Sequence, residues 1–431
     1  MLALLFGTHL YLTLRLRFIQ CHLGTALRLS FASDKGGDGD VSPFGALTTA
    51  LAATIGTGNI VGVATAIALG GPGAVLWMWL TGVFGIATKY GEALLAVKYR
   101  VKTADGTMLG GPMYALDHGL GLRWLAVLFC IFTAVAAFGI GNMVQANSVA
   151  TMAFDTFAVP TWATGLTLTV MTALVILGGI RWITRACEGL VPFMALFYIA
   201  GCVTIIVINR AFLWPAVTEI CHSAFTARAA GGGFAGATVL AAMRYGIARG
   251  LFSNESGLGS APIVAAAARS RNPVRQALVS ATGTFWDTVV ICLLTGLVLV
   301  TTMLRHPELA SAKGAMLTKL AFAQIPIIGP TVLTVGLLTF VYSTILGWSY
   351  YGERAVEYLF GKHSIVPYRI LWVGAVYVGS VVSLPLVWDF ADMANALMAI
   401  PNLVALLLLS GVIVAETQRY LWSGDIDKVG D

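Results

Sequence analysis

The chain has 431 residues, of which 58% are hydrophobic and 11% charged, with mean hydropathy +0.84 and a formal charge of +6. A soluble domain carries about a quarter of its residues as charges, so this composition excludes a soluble enzyme or binding module and indicates a polytopic membrane protein. The 26 Lys and Arg are scattered through short loops between apolar stretches rather than gathered on one face, which argues against a nucleic-acid surface.

Taking about 20 apolar residues per crossing, eleven spans are expected, centred near residues 8, 57, 86, 138, 170, 199, 248, 291, 342, 376 and 403. The first is short: its apolar run ends at Leu14, directly before the basic stretch Arg15 to Arg28, so it reads as a truncated span and not as a cleavable leader. Lys and Arg concentrate in alternate loops, around residues 15–35, 98–102, 123, 181–185, 269–275, 354–369 and 419–428. By the positive-inside rule those loops are cytoplasmic. The N-terminus is then outside and the C-terminus inside a plasma membrane.

The spans group into an N-terminal helix with a basic segment (1–43), a first block of five (44–210), an extracellular connection (211–230), a second block of five (231–415) and a tail (416–431). The second block starts on the opposite side of the membrane from the first, which is the arrangement of inverted-repeat transporters. Free buried thiols are expected for most of Cys21, Cys130, Cys187, Cys202, Cys221 and Cys292, which show no C-x-x-C spacing.

Each block opens with an interrupted span. In the first, ATIGTGN (53–59) sets Gly56, Gly58 and Asn59 inside an apolar run, where Gly costs about 1 kcal/mol against Ala and Asn adds a polar group that hydrocarbon cannot satisfy. Irregular backbone survives at membrane depth only where it is buried in protein or lines a cavity. Within TIGTGN (54–59), where Thr54, Gly56, Thr57 and Gly58 are candidates for holding a solute, N–H groups at the start of the second half-helix favour a carboxylate, and the carbonyls ending the first half-helix favour a cation. The competing reading is a small-residue packing face, with Gly58 and Gly62 at the spacing for close helix contact. A phosphate-binding loop is excluded because no Lys follows the glycines.

The second interruption, SNESGLG (253–259), adds Ser253, Ser256, Gly257 and the carboxylate of Glu255, for which Arg244 and Arg249 are the nearest partners in sequence. Intramembrane acids are costly enough to count as functional candidates; an ion pair that props the break open is the competing reading. Asn142, Gln145 and Asn147 in the fourth span suit a solute or an ion, or else interhelical hydrogen bonds of about 0.6 kcal/mol each. Ser343 and Thr344 offer paired hydroxyls followed by Trp348, although such hydroxyls also bond back to their own helix. Glu92 is expected to pair with Lys89, Asp287 has no assigned role, and Asp389 and Asp392 are expected to sit as a wet cap at an outer span end.

The motifs TALAATIGTGNIVGVATAIALGGPGAVLWMW (49–79), GGPMYAL (110–116), GIGNMVQAN (139–147), VPFMAL (191–196), SNESGLGSAP (253–262), STILGWSYYGE (343–353) and PNLVALLLLSG (401–411) together resemble the alanine or glycine:cation symporter family of the amino acid-polyamine-organocation superfamily. The resemblance covers nearly the whole chain. It implies an all-α membrane protein of the leucine-transporter type, a five-plus-five inverted repeat with one added N-terminal helix, that imports small neutral amino acids with sodium and needs no other cofactor. By that resemblance Ala52, Ile55, Phe340, Ser343 and Thr344 match a sodium site. Thr54 and Asn59 match part of a second ion site, with Asn142, Gln145 and Glu255 as further candidates.

The expectation is therefore a sodium:alanine or sodium:glycine symporter working by alternating access, with Trp348, Asn147 and Ser256 limiting substrate size. Its rival is proton coupling through Glu255 or Asp287. A hydrolase would pair Ser260 with a base, yet the six histidines (9, 22, 118, 222, 306, 363) lie in loops or near span ends. A channel would need a filter repeat or a pore-lining charge series, and neither is present in the sequence.

Overall fold

The computed structural model describes residues 1–32, 36–226, 238–312, 314–382 and 385–429, without the side chains of 310, 311 and 385–392. The side chains of Asp389 and Asp392, Lys35, and the junction between the connection and the second block (227–237) lie outside the described residues.

A helix, continuous or interrupted, covers each of the eleven expected centres. Among the described residues five helices are long and apolar enough to cross a membrane by themselves, or up to eight when each bent pair counts as one. The short first helix, Leu2–Arg15, meets a second segment, Ile19–Ser30, at 67°.

The first broken helix starts at Pro43, where Pro suits the first turn and the Ser42 hydroxyl accepts from Gly45 N–H at 2.9 Å. It stops at Thr54, because Ile55 turns to extended backbone (φ −76°, ψ 96°). It resumes at Gly58 and runs to Gly70, bent by 53°. Asn59 explains its own presence: its Oδ1 accepts from Gly56 N–H (2.9 Å), satisfying a donor that the break leaves without a helical partner.

The second broken helix begins at Val239 behind a Thr238 cap and ends at Asn254. Glu255 then enters the left-handed region (φ 55°), and Gly257 and Gly259 follow at φ 91° and 85°. A short helix, Pro262–Ala265, resumes after the break. The glycines are there because this backbone is strained for any side chain. One carboxylate oxygen holds the segment: Glu92 Oε1 accepts from Gly257 N–H and Gly259 N–H, both at 3.0 Å, and from Asn402 Nδ2 at 2.7 Å. Asn402 Nδ2 also donates to Gly257 O (3.0 Å).

The two breaks pack together. A Cβ placed on Gly58 would lie 3.2 Å from the Phe252 ring and 3.3 Å from Ser253 Cα. Glycine also sets the approach of the long helix Gly329–Phe360: a Cβ on Gly347 would lie 2.8 Å from Ala53 N and Cβ. That contact brings Ser343 and Thr344, one turn away, against the end of the first half-helix.

Candidate functional site

Five oxygens meet at the first break. Ser343 Oγ lies 3.2 Å from Ala52 O and 2.7 Å from Phe340 O; Thr344 Oγ1 lies 3.3 Å from Ile55 O and 3.0 Å from Phe340 O. All five residues are buried. The group has three carbonyl oxygens and two hydroxyl oxygens but only two protons to share, a surplus of lone pairs that suits a hard cation. The back-bonding to Phe340 expected of Ser and Thr is present too, so each hydroxyl sits between its own helix and the broken one.

Beside this cluster is a cavity of about 20 Å³ lined by Ala53, Thr54, Gly56, Thr57, Gly58, Ile140, Gln145, Phe252, Glu255, Thr344 and Trp348. It lies far below the span of about 300–1,000 Å³ usual for small-molecule sites and has room for about one water, so only a small solute fits, and only once the walls move apart. Two polar atoms in its wall are buried with no hydrogen-bond partner: Thr57 Oγ1, a donor or acceptor, and Gln145 Oε1, an acceptor. Glu255 contributes a carboxylate that accepts from Trp348 Nε1 (2.9 Å) and Ser260 Oγ (2.5 Å). Thr344 belongs both to the oxygen cluster and to the cavity wall. A Cβ on Gly56 would come within 2.7 Å of its Oγ1.

Several expected site residues lie elsewhere. Asn147 donates to Gly379 O (3.2 Å) and Val382 O (2.9 Å), tying two helices together away from the cavity. Ser256 bonds Thr284 Oγ1 at 3.1 Å, and Gly257 is held by Glu92. Ser253 donates to Asp287, whose carboxylate also takes Asn59 Nδ2 at 2.6 Å and Thr288 Oγ1 at 2.5 Å. Neither Ser253 nor Asn59 lines the cavity. Asn142 donates to Trp372 O (2.9 Å).

Three partner expectations are corrected. Glu255 pairs with Trp348 and Ser260, not with Arg244 or Arg249, because the left-handed turn at Glu255 aims its side chain across to the long helix. Glu92 makes no ion pair with Lys89 among the described residues; its oxygen is committed to the second break, and Lys89 Nζ is buried without a hydrogen-bond partner. Gly56 N–H is already taken by Asn59, which leaves Thr57 and Gly58 as the free end of the second half-helix. Sequence reasoning missed Phe252 and Ile140 as wall residues. Gly141 was missed as well: a Cβ there would sit 2.4 Å from Trp348 Cβ, so Gly141 makes room for the indole.

A family model described as the sodium:alanine symporter family matches residues 1–428. The chain belongs to that family. It is a membrane transporter and not an enzyme. It is 54% identical over 429 residues to the sodium/alanine symporter AgcS of Methanococcus maripaludis, covering 97% of this chain and 94% of that one. It is 35% identical to the probable sodium/glutamine symporter GlnT of Bacillus subtilis, over 97% and 87% of the two chains. Among solved structures it is similar to MhsT in complex with L-phenylalanine (TM-score 0.62, 14% identity, 89% of this chain and 93% of that one). A sodium-coupled sialic acid symporter follows at TM-score 0.54 and 11% identity, over 96% and 85%. At such identities the likeness concerns the fold.

Proposed function

We propose that this protein is a sodium-coupled symporter that imports small neutral amino acids, alanine and glycine, by alternating access across the plasma membrane. The observation that carries the reading is the five-oxygen cluster of Ala52, Ile55, Phe340, Ser343 and Thr344, whose Thr344 also walls the small cavity. Family membership and the sodium/alanine relative support the ion and the solute. In this reading the chain crosses eleven times, with its N-terminus outside, its C-terminus cytoplasmic and two inverted blocks of five.

The chemistry follows from the wall. The Thr57 hydroxyl and the N–H groups of Thr57 and Gly58 receive the carboxylate at a helix N-terminus. Gln145 Oε1 and the Glu255 carboxylate receive the ammonium. Trp348, Phe252 and Ile140 leave little room beyond a methyl group. Sodium takes the surplus lone pairs of the oxygen cluster, and because Thr344 and Ile55 flank Gly56, filling the ion site stiffens one wall of the solute site. Ion and solute then bind better together than apart, which is the coupling that symport requires.

A second reading keeps the fold and replaces the ion by a proton on Glu255 or Asp287; the presence of Glu255 in the cavity wall favours considering it. Thermal unfolding of the purified protein separates the two. A ligand at about 100 times its Kd adds about 2.7 kcal/mol to the folded state, so alanine is expected to raise the melting temperature in sodium and not in potassium. Stabilisation in potassium that grows as pH falls would instead support the proton.

A further inference from the structure

Helix Ile180–Ile208 runs beside the oxygen cluster without giving it an oxygen. Tyr198 on that helix packs its ring on Phe340, with 5.1 Å between centroids. Met194, one turn earlier and fully buried, brings its thioether sulfur to 3.3 Å from Ser343 Oγ. The segment VPFMAL (191–196), which contains it, stands out in the sequence only as part of the family resemblance. Leucine is a volume-conserving replacement for Met, so packing alone gives no reason for a sulfur at this place. What Met adds is a polarizable, weak hydrogen-bond acceptor.

Proton accounting gives that acceptor a use. Ser343 carries one O–H proton and has three acceptors within reach: Phe340 O at 2.7 Å, Ala52 O at 3.2 Å and Met194 Sδ. Among the described residues the acceptors of Thr344 are Phe340 O and Ile55 O, both inside the cluster. Sodium binds lone pairs and is repelled by the positive end of an O–H dipole. A hydroxyl that serves it therefore turns its proton away, and a proton left on Ala52 O or Phe340 O also occupies a carbonyl that the ion needs. Thioether sulfur is too soft a ligand to compete for a hard cation, which leaves it available for the proton.

We propose that Met194 is a positioning residue of the ion site: when sodium binds, the Ser343 hydroxyl donates to Met194 Sδ, which turns its lone pairs to the ion and releases Ala52 O and Phe340 O as ligands. Met194 touches neither ion nor solute in this role and acts through Ser343. Ala52 belongs to the first half-helix and Phe340 to the long helix Gly329–Phe360. Rotation of one proton thus exchanges a weak hydrogen bond between those helices for a bridge through the ion. The inference rests on the sodium reading of the oxygen cluster and deepens it.

The test is sodium titration of labelled-alanine binding to the purified full chain, with potassium as the balancing cation. Met194→Leu is expected to lower sodium affinity about fivefold, the equivalent of one neutral hydrogen bond, and to leave alanine affinity in saturating sodium unchanged. The same loss is expected on a Thr344→Ala background and none on a Ser343→Ala background, where there is no hydroxyl to orient; a packing role would move every background alike. Met194→Ile, also without sulfur but differently branched, should repeat the result, and thermal melting of each variant in potassium reads folding apart from the ion. Unchanged sodium affinity in folded Met194→Leu and Met194→Ile, an equal loss on the Ser343→Ala background, or failure of both variants to fold overturns the role and leaves the sodium site in place. Wild-type alanine binding that is the same in sodium and in potassium defeats the sodium reading and this inference together.

Discussion

Sodium-driven uptake is expected to collapse in the Ser343→Ala/Thr344→Ala double variant, with sodium affinity lowered at least about a hundredfold. The substitution removes two of the five converging oxygens. Hydrogen bonds or ligand contacts to a charge contribute about 1.5–3 kcal/mol each, so their joint loss exceeds the 2.7 kcal/mol that corresponds to a hundredfold change. Folding should survive, because both side chains are small, Phe340 O lies within the continuous helix Gly329–Phe360, and only Ala52 O and Ile55 O sit at the end of a half-helix. Sodium titration of alanine binding reads the effect directly. A double variant that keeps wild-type sodium affinity would remove the ion from this cluster and send it to Asp287 or Glu255.

Glu92→Leu is expected to cost about 3–5 kcal/mol, the scale of leaving a buried charge network without one partner. Three donors lose their acceptor at once: Gly257 N–H, Gly259 N–H and Asn402 Nδ2. Lys89, buried and without a hydrogen-bond partner, also loses a neighbouring anion. The consequence is local before it is global, since the segment that loses its anchor carries Glu255 into the cavity wall. Glu92→Gln keeps a carbonyl oxygen in the same place and should lose less than half as much. The fraction of monodisperse protein remaining after heating in detergent measures both. Equal survival of Glu92→Leu and wild type would show that the second break holds its shape without this oxygen.

Both breaks were legible in the sequence because glycines clustered with polar side chains inside an apolar run go beyond what close helix packing, the competing use of the glycines, requires. The oxygen cluster was legible only through resemblance, since a Ser-Thr pair on a helix has the same local pattern whether it faces a cation or its own carbonyls. What joins it to Ala52 and Ile55 is the Gly347 contact with Ala53, a fact about helix approach that spacing along one helix does not contain. Glu255 was singled out as an intramembrane acid and given the wrong partners, because sequence proximity favoured arginines of its own helix while the left-handed turn sent the carboxylate to Trp348. Asn147, Ser253 and Ser256 share one ambiguity: a polar side chain in an apolar span answers equally to a ligand or to a neighbouring helix, and here each bonds a neighbour, Asn147 the carbonyls of Gly379 and Val382, Ser253 the Asp287 carboxylate and Ser256 the Thr284 hydroxyl. Phe252 and Ile140 carried no signal at all, being apolar residues among many.

Labelled-alanine uptake into proteoliposomes under an inward sodium gradient, beside matched potassium and a pH gradient without sodium, tests the central claim most directly. The membrane potential supplies about 2.3 kcal/mol per charge per 100 mV, enough to concentrate the solute well beyond tenfold. Accumulation with sodium and not with potassium or protons is the predicted result; accumulation on the pH gradient alone would contradict sodium coupling, and none in any condition would contradict alanine as the substrate.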